Sequence, residues 1–457
     1  MSVNYTLSHP TSNGEWMLAA ARQGQGTPVL NKNTIAVFRL DNAYNILDSR
    51  VIGFPGGMDG FHPDVDFEIH CIVESVNPMG NYIICGSIRR DNVAVKSGLV
   101  VVTDAGLNPL SIREYPDVLN FYSVYAQENY YYVCGRRHDG SGIVLRDDVT
   151  AFAPMAMAYV TYDQWDYQKI RVVTNPGTGV IKVSGTGFSG IAPSPYMGYS
   201  IFNAKAADFS PVVNPTPPLP PNPIASWKFQ PSGHGIGSKV VIANHPGGSA
   251  GNGVVLSVSN GDTIYTYLFF QQPEISAAFK IPISGVLEDV ECAGEPGPQI
   301  AWVGNTDTNI IPRQAYYLHM DIPPSLTPPP PSPPFPLFPT TPVAVTYFHP
   351  VPVWGNNYYY SLHKVYFHKN GDLQFHAGGY YNDLDGNRTT FVVTPDFAHV
   401  QCVDRPAGPQ ATDIALPSLQ SLDLAIDNHV PVNELPRFSK RYVFCEMDCY
   451  KSNCGNK

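Results

Sequence analysis

The segments "NYIICGSIRRDN" (81–92) and "NYYYVCGRRHDG" (129–140) are two versions of one sequence. Each passes from an apolar stretch into Cys-Gly and then into arginines and an aspartate, and the two cysteines are 49 positions apart (134 − 85). Recurrence at a distance of about 20–50 residues is typical of proteins built from repeated supersecondary units. The same pattern is therefore expected elsewhere in the chain.

The recurring pattern is an apolar strand, a tight turn rich in Pro, Gly or Asn, and a second apolar strand. These residue types favour hairpins, because Gly and Asn tolerate positive φ and Pro fixes its own φ. Two more strand-like runs follow each hairpin, as in "FEIHCIVES", "NYIICGSIR", "GLVVVTDAG" and "PLSIREY" of the second repeat. In the seventh repeat the fourth run is "HVQCVDRP" (399–406). The hairpin turns occur seven times, at 8–15, 76–81, 126–129, 174–179, 244–252, 294–298 and 368–372.

Seven repeats of four antiparallel strands resemble a seven-bladed β-propeller. The resemblance covers about residues 3–406 and implies an all-β fold, with a propeller at 1–406 and a short Cys-containing extension or clasp at 407–457. It implies no activity, because one fold can host many functions. The alternative is a pair of β-sandwiches, which would not explain so regular a period.

Composition agrees with an all-β protein and limits its partners. Only 14% of the 457 residues are charged, the net charge is −10, and basic residues never run beyond two in a row. A surface that binds nucleic acid phosphates is therefore not expected, nor is a membrane helix. The N-terminus lacks the features of a signal peptide. The low lysine content still favours a mature secreted or cell-surface protein, so we expect an extracellular location.

Two proline-rich stretches interrupt the repeats. Residues 210–223 and 323–342 each fall between the predicted third and fourth strands of a blade, the fourth and the sixth, and the second stretch has eleven prolines in twenty residues. Proline cannot donate to a strand ladder, so both are predicted to be inserted loops in polyproline II conformation. They could dock onto a partner or pack along the blade edge.

One face of the propeller is predicted to be rich in arginine and aspartate. Loops that join strands two and three share a face with the loops between blades, opposite the hairpin turns. We therefore expect the arginines on the side opposite Pro220 and Pro330, around an inner group of acidic and aromatic residues. The predicted binding residues are Arg22, Arg89, Arg136, Arg313 and Arg388, with Asp66, Asp117, Trp165, Asp166, Asp289 and Trp354 nearer the axis.

These residue types suit a protein or glycan partner. Aromatic rings and carboxylates match the faces and hydroxyls of sugars, and arginines match carboxylates on a partner. The structural alternative is that each aspartate accepts loop N–H groups and links neighbouring blades, and that each arginine pairs with an adjacent carboxylate.

The cysteines fall into two groups. Cys85 and Cys134 lie in adjacent blades, whose sheets are about 10 Å apart, which is too far for a disulfide. They are predicted to be buried thiols. Four others are expected to form at least one disulfide that fastens the C-terminal extension, or a zinc site if the compartment is reducing. These four are Cys402, Cys445, Cys449 and Cys454.

Signals of catalysis or cofactor binding are few. Asp383, Asp385 and Asn387 alternate as in a calcium loop but lack the downstream bidentate glutamate, so calcium is a weak prediction and no other cofactor is expected. The sequence thus favours a non-catalytic propeller that binds a protein or glycan partner through one loop face. The alternatives are a carbohydrate hydrolase or lyase with axial carboxylates, and a structural component of a large assembly.

Overall fold

The computed structural model describes most of the chain, and within the described ranges every regular element is a β-strand. No helix in this part is long and apolar enough to cross a membrane. The described residues are 4–7, 11, 13–22, 33–41, 45–57, 60–90, 95–175, 179–189, 196–212, 224–230, 239–245, 253–269, 275–293, 299–306, 314–322, 340–348, 351–353, 356–370, 372–382, 388–393 and 403–441.

The chain divides into two compact units. Unit one comprises residues 1–190, 199–227 and 421–445, and unit two comprises 191–198, 228–420 and 446–457. Blades 1 to 4, which lie almost wholly in unit one, each have four consecutive antiparallel strands. They are β1 (Asn4–Leu7), β2 (Trp16–Arg22), β3 (Thr34–Leu40) and β4 (Ile46–Gly53); β5 (Val65–Glu74), β6 (Tyr82–Arg90), β7 (Ser97–Thr103) and β8 (Pro109–Tyr115); β9 (Val118–Gln127), β10 (Tyr130–Arg137), β11 (Ser141–Asp148) and β12 (Met155–Gln164); and β13 (Asp166–Asn175), β14 (Val180–Ser189), β15 (Tyr196–Lys205) and β16 (Ile224–Phe229).

Blades 5 to 7 belong to unit two. The 17-residue strand β20 (Ala277–Ala293) belongs to two blades. Its first part pairs with β19 (Gly261–Phe269) and is the last strand of blade 5, and its second part pairs with β21 (Gln299–Asn305) and is the first strand of blade 6. The antiparallel sheets confirm the predicted all-β propeller fold, and their strand order divides the described residues into seven repeats. The strands of blade 5 are β17 (Lys239–His245), β18 (Gly253–Ser259), β19 and the first part of β20. Blade 6 consists of the second part of β20, β21, β22 (Ala315–Asp321) and β24 (Ala344–Phe348), and the short β23 (Thr341–Pro342) pairs instead with residues 410–411. The strands of blade 7 are β25 (Val351–Val353), β26 (Asn356–Asn370), β27 (Asp372–Asn382) and β28 (Arg388–Val393).

The prediction of an outer strand for blade 7 at 399–406 is wrong for its described part. Val403–Asp404 pairs with Phe348 and Tyr347 of β24 and therefore belongs to blade 6. The described strands of blade 7 are ordered β25-β26-β27-β28, in which β26, β27 and β28 correspond to strands one, two and three, and the three-residue β25 is an addition that pairs with the beginning of β26. The proline-rich inserts fall between β15 and β16 and between β22 and β24, although residues 213–223 and 323–339 themselves lie outside the described ranges.

Residues 403–441, here called the strap, add an edge strand to six blades. In unit two, β29 (Val403–Asp404) pairs with β24, and β30 (Gln410–Asp413) pairs with the first part of β20. The short β31 (Gln420–Ser421) pairs with β16 of blade 4. In unit one, β32 (Leu424–Pro431), β33 (Asn433–Glu434) and β34 (Phe438–Arg441) pair with β12, β8 and β4 respectively. The outermost strand of each of these blades thus has a partner on its outer edge, which would otherwise present unpaired N–H and C=O groups.

The repeated Cys-Gly dipeptide marks a β-bulge in the first strand of the blade. In blade 2, Ile69 pairs with Gly86 and Cys71 with Cys85, so His70 is an extra residue. Blades 3, 4, 6 and 7 have the same bulge. In each of them, a glycine of the second strand pairs with the first-strand residue that comes just before the extra residue. The extra residues are His70, Tyr122, Gln168, Glu288 and His363.

Glycine is required opposite these bulges because the two backbones approach closely. A Cβ at Gly86 or Gly135 would lie far inside 3.0 Å of the carbonyl oxygen of Glu68 or Asn120. Real Cβ atoms do not approach a backbone that closely, so the strands would have to separate. The glycine therefore holds the bulge in register, and the bulge re-aims the first-strand side chain.

The cysteine of each pair packs against the next blade. The sulfur of Cys85 lies 3.9 Å from the carbonyl oxygen of Phe121, and that of Cys134 lies 3.7 Å from the carbonyl oxygen of Tyr167. Both cysteine side chains are fully buried, as predicted. Burial raises the pKa of Cys134 well above its usual value. These residues act as small apolar contacts between blades.

A buried polar network links blades 2 and 3. The guanidinium of Arg113 lies 3.0 Å from a carboxylate oxygen of Asp147 and donates to the carbonyl of Ala151 at 3.0 Å. The hydroxyls of Tyr115 and Tyr131 both donate to the same carboxylate oxygen, at 2.7 and 3.0 Å. Burial works to lower the pKa of Arg113, but the tyrosines and Asp147 outweigh it, and the net shift is upward.

We predict that Gly135→Ala lowers the free energy of unfolding by about 2–3 kcal/mol, because the new methyl has no space against the first strand. Urea denaturation followed by near-ultraviolet circular dichroism would measure this. The control is Gly106→Ala, whose Cβ would meet side-chain atoms of Asn108 and Asp104 at 3.2 and 3.4 Å. An equal effect of the two substitutions would contradict the proposed role of the bulge.

We also predict that Asp147→Asn costs about 3–5 kcal/mol of stability, because the buried Arg113 keeps its charge without a counterion. The matched control is Asp117→Asn, which removes a carboxylate that is 46% exposed and 3.8 Å from Arg137. The control should cost less than about 1 kcal/mol. Similar denaturation midpoints for both variants would show that the network contributes little.

Candidate functional site

The strands place four of the predicted arginines at one end of their blades. Arg89 and Arg136 lie at or next to the last residue of β6 and β10, and Arg22 ends β2. Arg388 begins β28 and pairs with Asn382. All four are therefore next to a loop that joins the second strand of a blade to the third.

Other predicted positions lie outside the described residues. For these, the sequence-based expectations of an arginine face, calcium binding and a disulfide stay predictions. The positions are Arg313, Trp354, Asp383, Asp385, Asn387, Cys402, Cys445, Cys449 and Cys454, together with Pro220 and Pro330. Within the described ranges, no three His, Cys, Asp or Glu side chains meet as a metal site.

Two of the described loop arginines, Arg89 and Arg136, bind carboxylates of the protein itself. Arg89 donates to Asp66, its cross-strand neighbour, at 2.8 Å. Arg136 of blade 3 reaches Asp166 of blade 4 at 3.3 Å. Their charges are therefore neutralised internally rather than held ready for an anionic partner.

The second arginine of each pair is also matched by a carboxylate. Arg90 donates to Glu114 at 2.6 Å, and Arg137 donates to Asp427 of the strap at 2.9 Å. Arg137 also lies 3.8 Å from Asp117. These pairs link strands within blade 2 and connect blade 3 to the strap.

Two other predicted binding residues have packing roles in the structure. Asp289 is 4% exposed and accepts a hydrogen bond from the backbone N–H of Val365 at 3.2 Å, so it links blades 6 and 7. Trp165 is 1% exposed, and its ring packs edge-on to Tyr167 with centroids 6.3 Å apart. Its face is therefore covered by protein rather than open as a stacking platform.

The bulges of blades 2 and 3 bring a different set of polar residues together. The rings of His70 and Tyr122 have centroids 5.3 Å apart, and Asn120 Nδ2 lies 2.8 Å from His70 Nε2. Glu68 lies 3.7 Å from the same imidazole nitrogen. With the Arg136–Asp166 pair next to Tyr122, these residues form what we call the inner-strand cluster: Glu68, His70, Asn120, Tyr122, Arg136 and Asp166.

The cluster holds one carboxylate firmly ionised. Glu68 receives hydrogen bonds from Lys96 at 2.5 Å and from Ser87 at 3.1 Å. Burial works to raise the pKa of Glu68, but His70 and Lys96 outweigh it and hold the pKa below its usual value. Glu68 is one-third exposed, so this charge is reachable from solvent.

The other carboxylate has the opposite shift. Asp166 is 8% exposed, and its burial raises its pKa because Arg136 offsets the effect only in part. Burial, together with the charges of Asp166 and Glu68, raises the pKa of Tyr122 to about 12. The tyrosine is therefore a neutral hydrogen-bonding group at all ordinary pH values.

The inner-strand cluster combines acceptors, donors and two ring faces that solvent can reach in part. Sequence reasoning found Asp166 and Arg136 but missed the other four. The available signal was the glycine within each second strand, which indicates a bulge in the facing strand. A strict two-residue alternation would assign His70 and Tyr122 to the wrong side.

We predict that Lys96→Met raises the pKa of Glu68, because the burial of the carboxylate is then less opposed. A ¹³C NMR titration of the carboxyl resonance would measure the shift. Lys96→Arg keeps the positive charge and should leave the pKa low. An unchanged pKa in Lys96→Met would mean that Lys96 does not stabilise the ionised form.

No family model and no curated protein matches the chain. Among solved structures, it is similar to one described as the Dos1 propeller, with 10% identity over 89% of this chain and 92% of that one and a TM-score of 0.44. It is also similar to Drosophila Plexin A in complex with Semaphorin 1b, with 9% identity over 95% of this chain and 85% of that one and a TM-score of 0.31. A third similar structure is that of extracellular domains 1–2 of Drosophila Semaphorin 1b, with 9% identity over 90% of this chain and 79% of that one and a TM-score of 0.29. These values carry no argument about function, and the propeller assignment rests on the strand order.

Proposed function

We propose that this protein is a non-catalytic interaction propeller that binds a protein partner through the hairpin side of blades 1 to 3. The hairpin side is the end of each blade where strand one turns into strand two and strand three into strand four. One observation carries the proposal. Of the twelve large hydrophobic residues exposed in the described part, seven lie here, and we call them the hairpin-side patch: Ile46, Leu47, Val76, Met79, Leu110, Phe152 and Met155.

Single exposed apolar residues are common on protein surfaces, so their distribution is what matters. Met79 is 70% exposed in the first turn of blade 2, and Met155 is 56% exposed where β12 begins in blade 3. Methionine adapts its shape to a partner, and Phe152 supplies an aromatic ring of the kind that dominates protein interfaces. The residues come from three adjacent blades of one compact unit.

The turns that carry the patch are held together by hydrogen bonds between blades. Arg50 of blade 1 donates to the carbonyl of Gly106 in blade 2 at 2.8 Å. Asn77 of blade 2 donates its backbone N–H to the carbonyl of Glu128 in blade 3 at 3.1 Å. A surface ordered in this way loses little conformational entropy when a partner binds.

The surroundings of the patch suggest the chemistry of the partner. Its turns carry the carboxylates Asp41, Asp104, Glu128 and Asp148, whereas Arg50 and Arg113 are occupied by carbonyls of the next blade. Burial works to raise the pKa of Asp148, but N–H donors from Ala151 and Thr150 outweigh it and keep the carboxylate ionised. We therefore expect a partner with apolar anchors flanked by lysine or arginine.

A secreted or cell-surface location belongs to this proposal and rests on the low-lysine composition of the chain. A role as a structural component of a large assembly would use the same patch. A carbohydrate-acting enzyme would instead use the inner-strand carboxylates.

Site-specific photo-crosslinking tests the proposal. A photoreactive phenylalanine at Phe152 should capture a partner from the native source, whereas one at Tyr162, which is 74% exposed at the opposite end of β12, should not. With the captured protein purified, Met79→Asp should weaken binding by about 30-fold or more, as for a hot-spot residue. Tyr162→Asp is the matched control and should leave affinity unchanged. Capture through Tyr162 alone, or equal affinity of both variants, would refute the hairpin-side assignment.

A further inference from the structure

The seam between blades 3 and 4 holds polar atoms that the fold leaves unused. Arg136 and Asp166 contact each other through one nitrogen and one oxygen, Nη1 and Oδ2, at 3.3 Å. Arg136 Nε and Asp166 Oδ1 are both buried, and neither has a hydrogen-bond partner among the described residues. The indole N–H of Trp165 is also buried and has no hydrogen-bond partner among the described residues.

Such atoms are uncommon in folded proteins, because a buried polar group without a partner costs most of its desolvation energy. Asp166 Oδ1 needs a hydrogen-bond donor and Arg136 Nε needs an acceptor, and the two side chains are in contact. A bound ligand that satisfies both atoms must therefore both donate and accept. A hydroxyl group both donates and accepts, so a single hydroxyl can serve a carboxylate and a guanidinium together.

The rest of the inner-strand cluster extends the same chemistry. Tyr122 lies within electrostatic reach of Asp166 and stacks obliquely with His70 at 5.3 Å. Asn120 adds an amide between them. Aromatic faces beside carboxylate and amide groups suit ring compounds with apolar faces and polar edges.

The charges of the cluster and its neighbours cancel in pairs. Glu68 is matched by Lys96 at 2.5 Å and Asp166 by Arg136 at 3.3 Å, and the nearby Asp66 is matched by Arg89 at 2.8 Å. A strongly charged ligand would break one of these pairs, whereas a neutral ligand would leave them intact.

We propose that the inner-strand cluster is a binding site for a neutral polyhydroxylated ligand, such as a sugar residue, whose hydroxyls bond Asp166 and Arg136 beside the rings of Tyr122 and His70. This site is on blades 2 to 4 and uses none of the hairpin-side patch, so each proposal can fail without the other.

Saturation-transfer-difference NMR and isothermal titration calorimetry test this site with defined probes. The probes are the methyl glycosides of glucose, galactose, mannose, xylose and N-acetylglucosamine, with myo-inositol and, as a cation, choline. We expect at least one neutral probe to bind. Asp166→Asn should weaken that binding by about tenfold or more, since a charge-assisted hydrogen bond is lost.

Asp208→Asn is the control, because Asp208 is an exposed carboxylate of blade 4 that accepts hydrogen bonds from Ser210 and is not in the cluster. Its affinity should equal that of the unmodified protein. Tyr122→Phe removes only a hydroxyl and gives a second test if Asp166→Asn does not fold by circular dichroism. The proposal is overturned if no neutral probe binds, if choline alone binds, or if binding is indifferent to both Asp166→Asn and Tyr122→Phe.

Discussion

The close approach of first and second strands at the bulges is the constraint on which the other features depend. In five blades the first strand contains one extra residue, which forms the bulge. The residue just before it pairs with a glycine of the second strand. Because the backbones nearly touch there, the second strand must carry glycine, and the extra residue must turn its side chain out of the regular alternation. One steric requirement thus explains both the repeated Cys-Gly and the position of His70 and Tyr122.

Adjacent blades are linked by the same two kinds of contact in successive repeats, from a thiol or from an arginine to a backbone carbonyl. A thiol contacts a first-strand carbonyl of the next blade at Cys85 and again at Cys134. Arginines on outer strands donate to turn carbonyls of the next blade: Arg50 to Gly106 and Arg113 to Ala151. Each of these contacts uses a backbone carbonyl of the next blade, so adjacent blades satisfy part of each other's polar groups. The strap then pairs with outer strands, so edge hydrogen bonds come from a separate part of the chain.

The fold was largely predictable from sequence, and the site was not. Turn residues and strand runs were sufficient to predict a propeller of antiparallel blades, because hairpin signals are local, but they assigned residues 403–404 to the wrong blade. The C-terminal extension was predicted to be a clasp, but its successive edge strands were not located because they are only two to eight residues long and have little apolar alternation; even β32 is mostly exposed or half-buried. The carboxylate partners of the arginines could not be predicted because they depend on strand register, as with Asp66 directly opposite Arg89. His70 and Tyr122 could be located only by reading Gly86 and Gly135 as signs of bulges.

The hairpin end of a blade consists of short turns, whereas the other end carries the connections between blades. This difference accounts for the different residues on their surfaces. At the hairpin end, short turns satisfy their own backbone groups through Asp caps, as when Asp104 accepts the N–H of Asn108 at 2.8 Å. Side chains beside such a turn, including Leu110, are not needed for its stability and can be apolar and exposed. At the other end, the chain crosses from one blade to the next, and carboxylates such as Asp166 and Asp289 are used to bind the neighbouring blade. Ion pairs such as Arg89–Asp66 and Arg136–Asp166 are found in this region, and the large apolar residues exposed there in the described part of the chain, Val95, Tyr162 and Val286, are scattered singly. In blades 1 to 3 the connectivity therefore places most of the exposed apolar side chains at the hairpin end and the ion pairs of the loops at the other end.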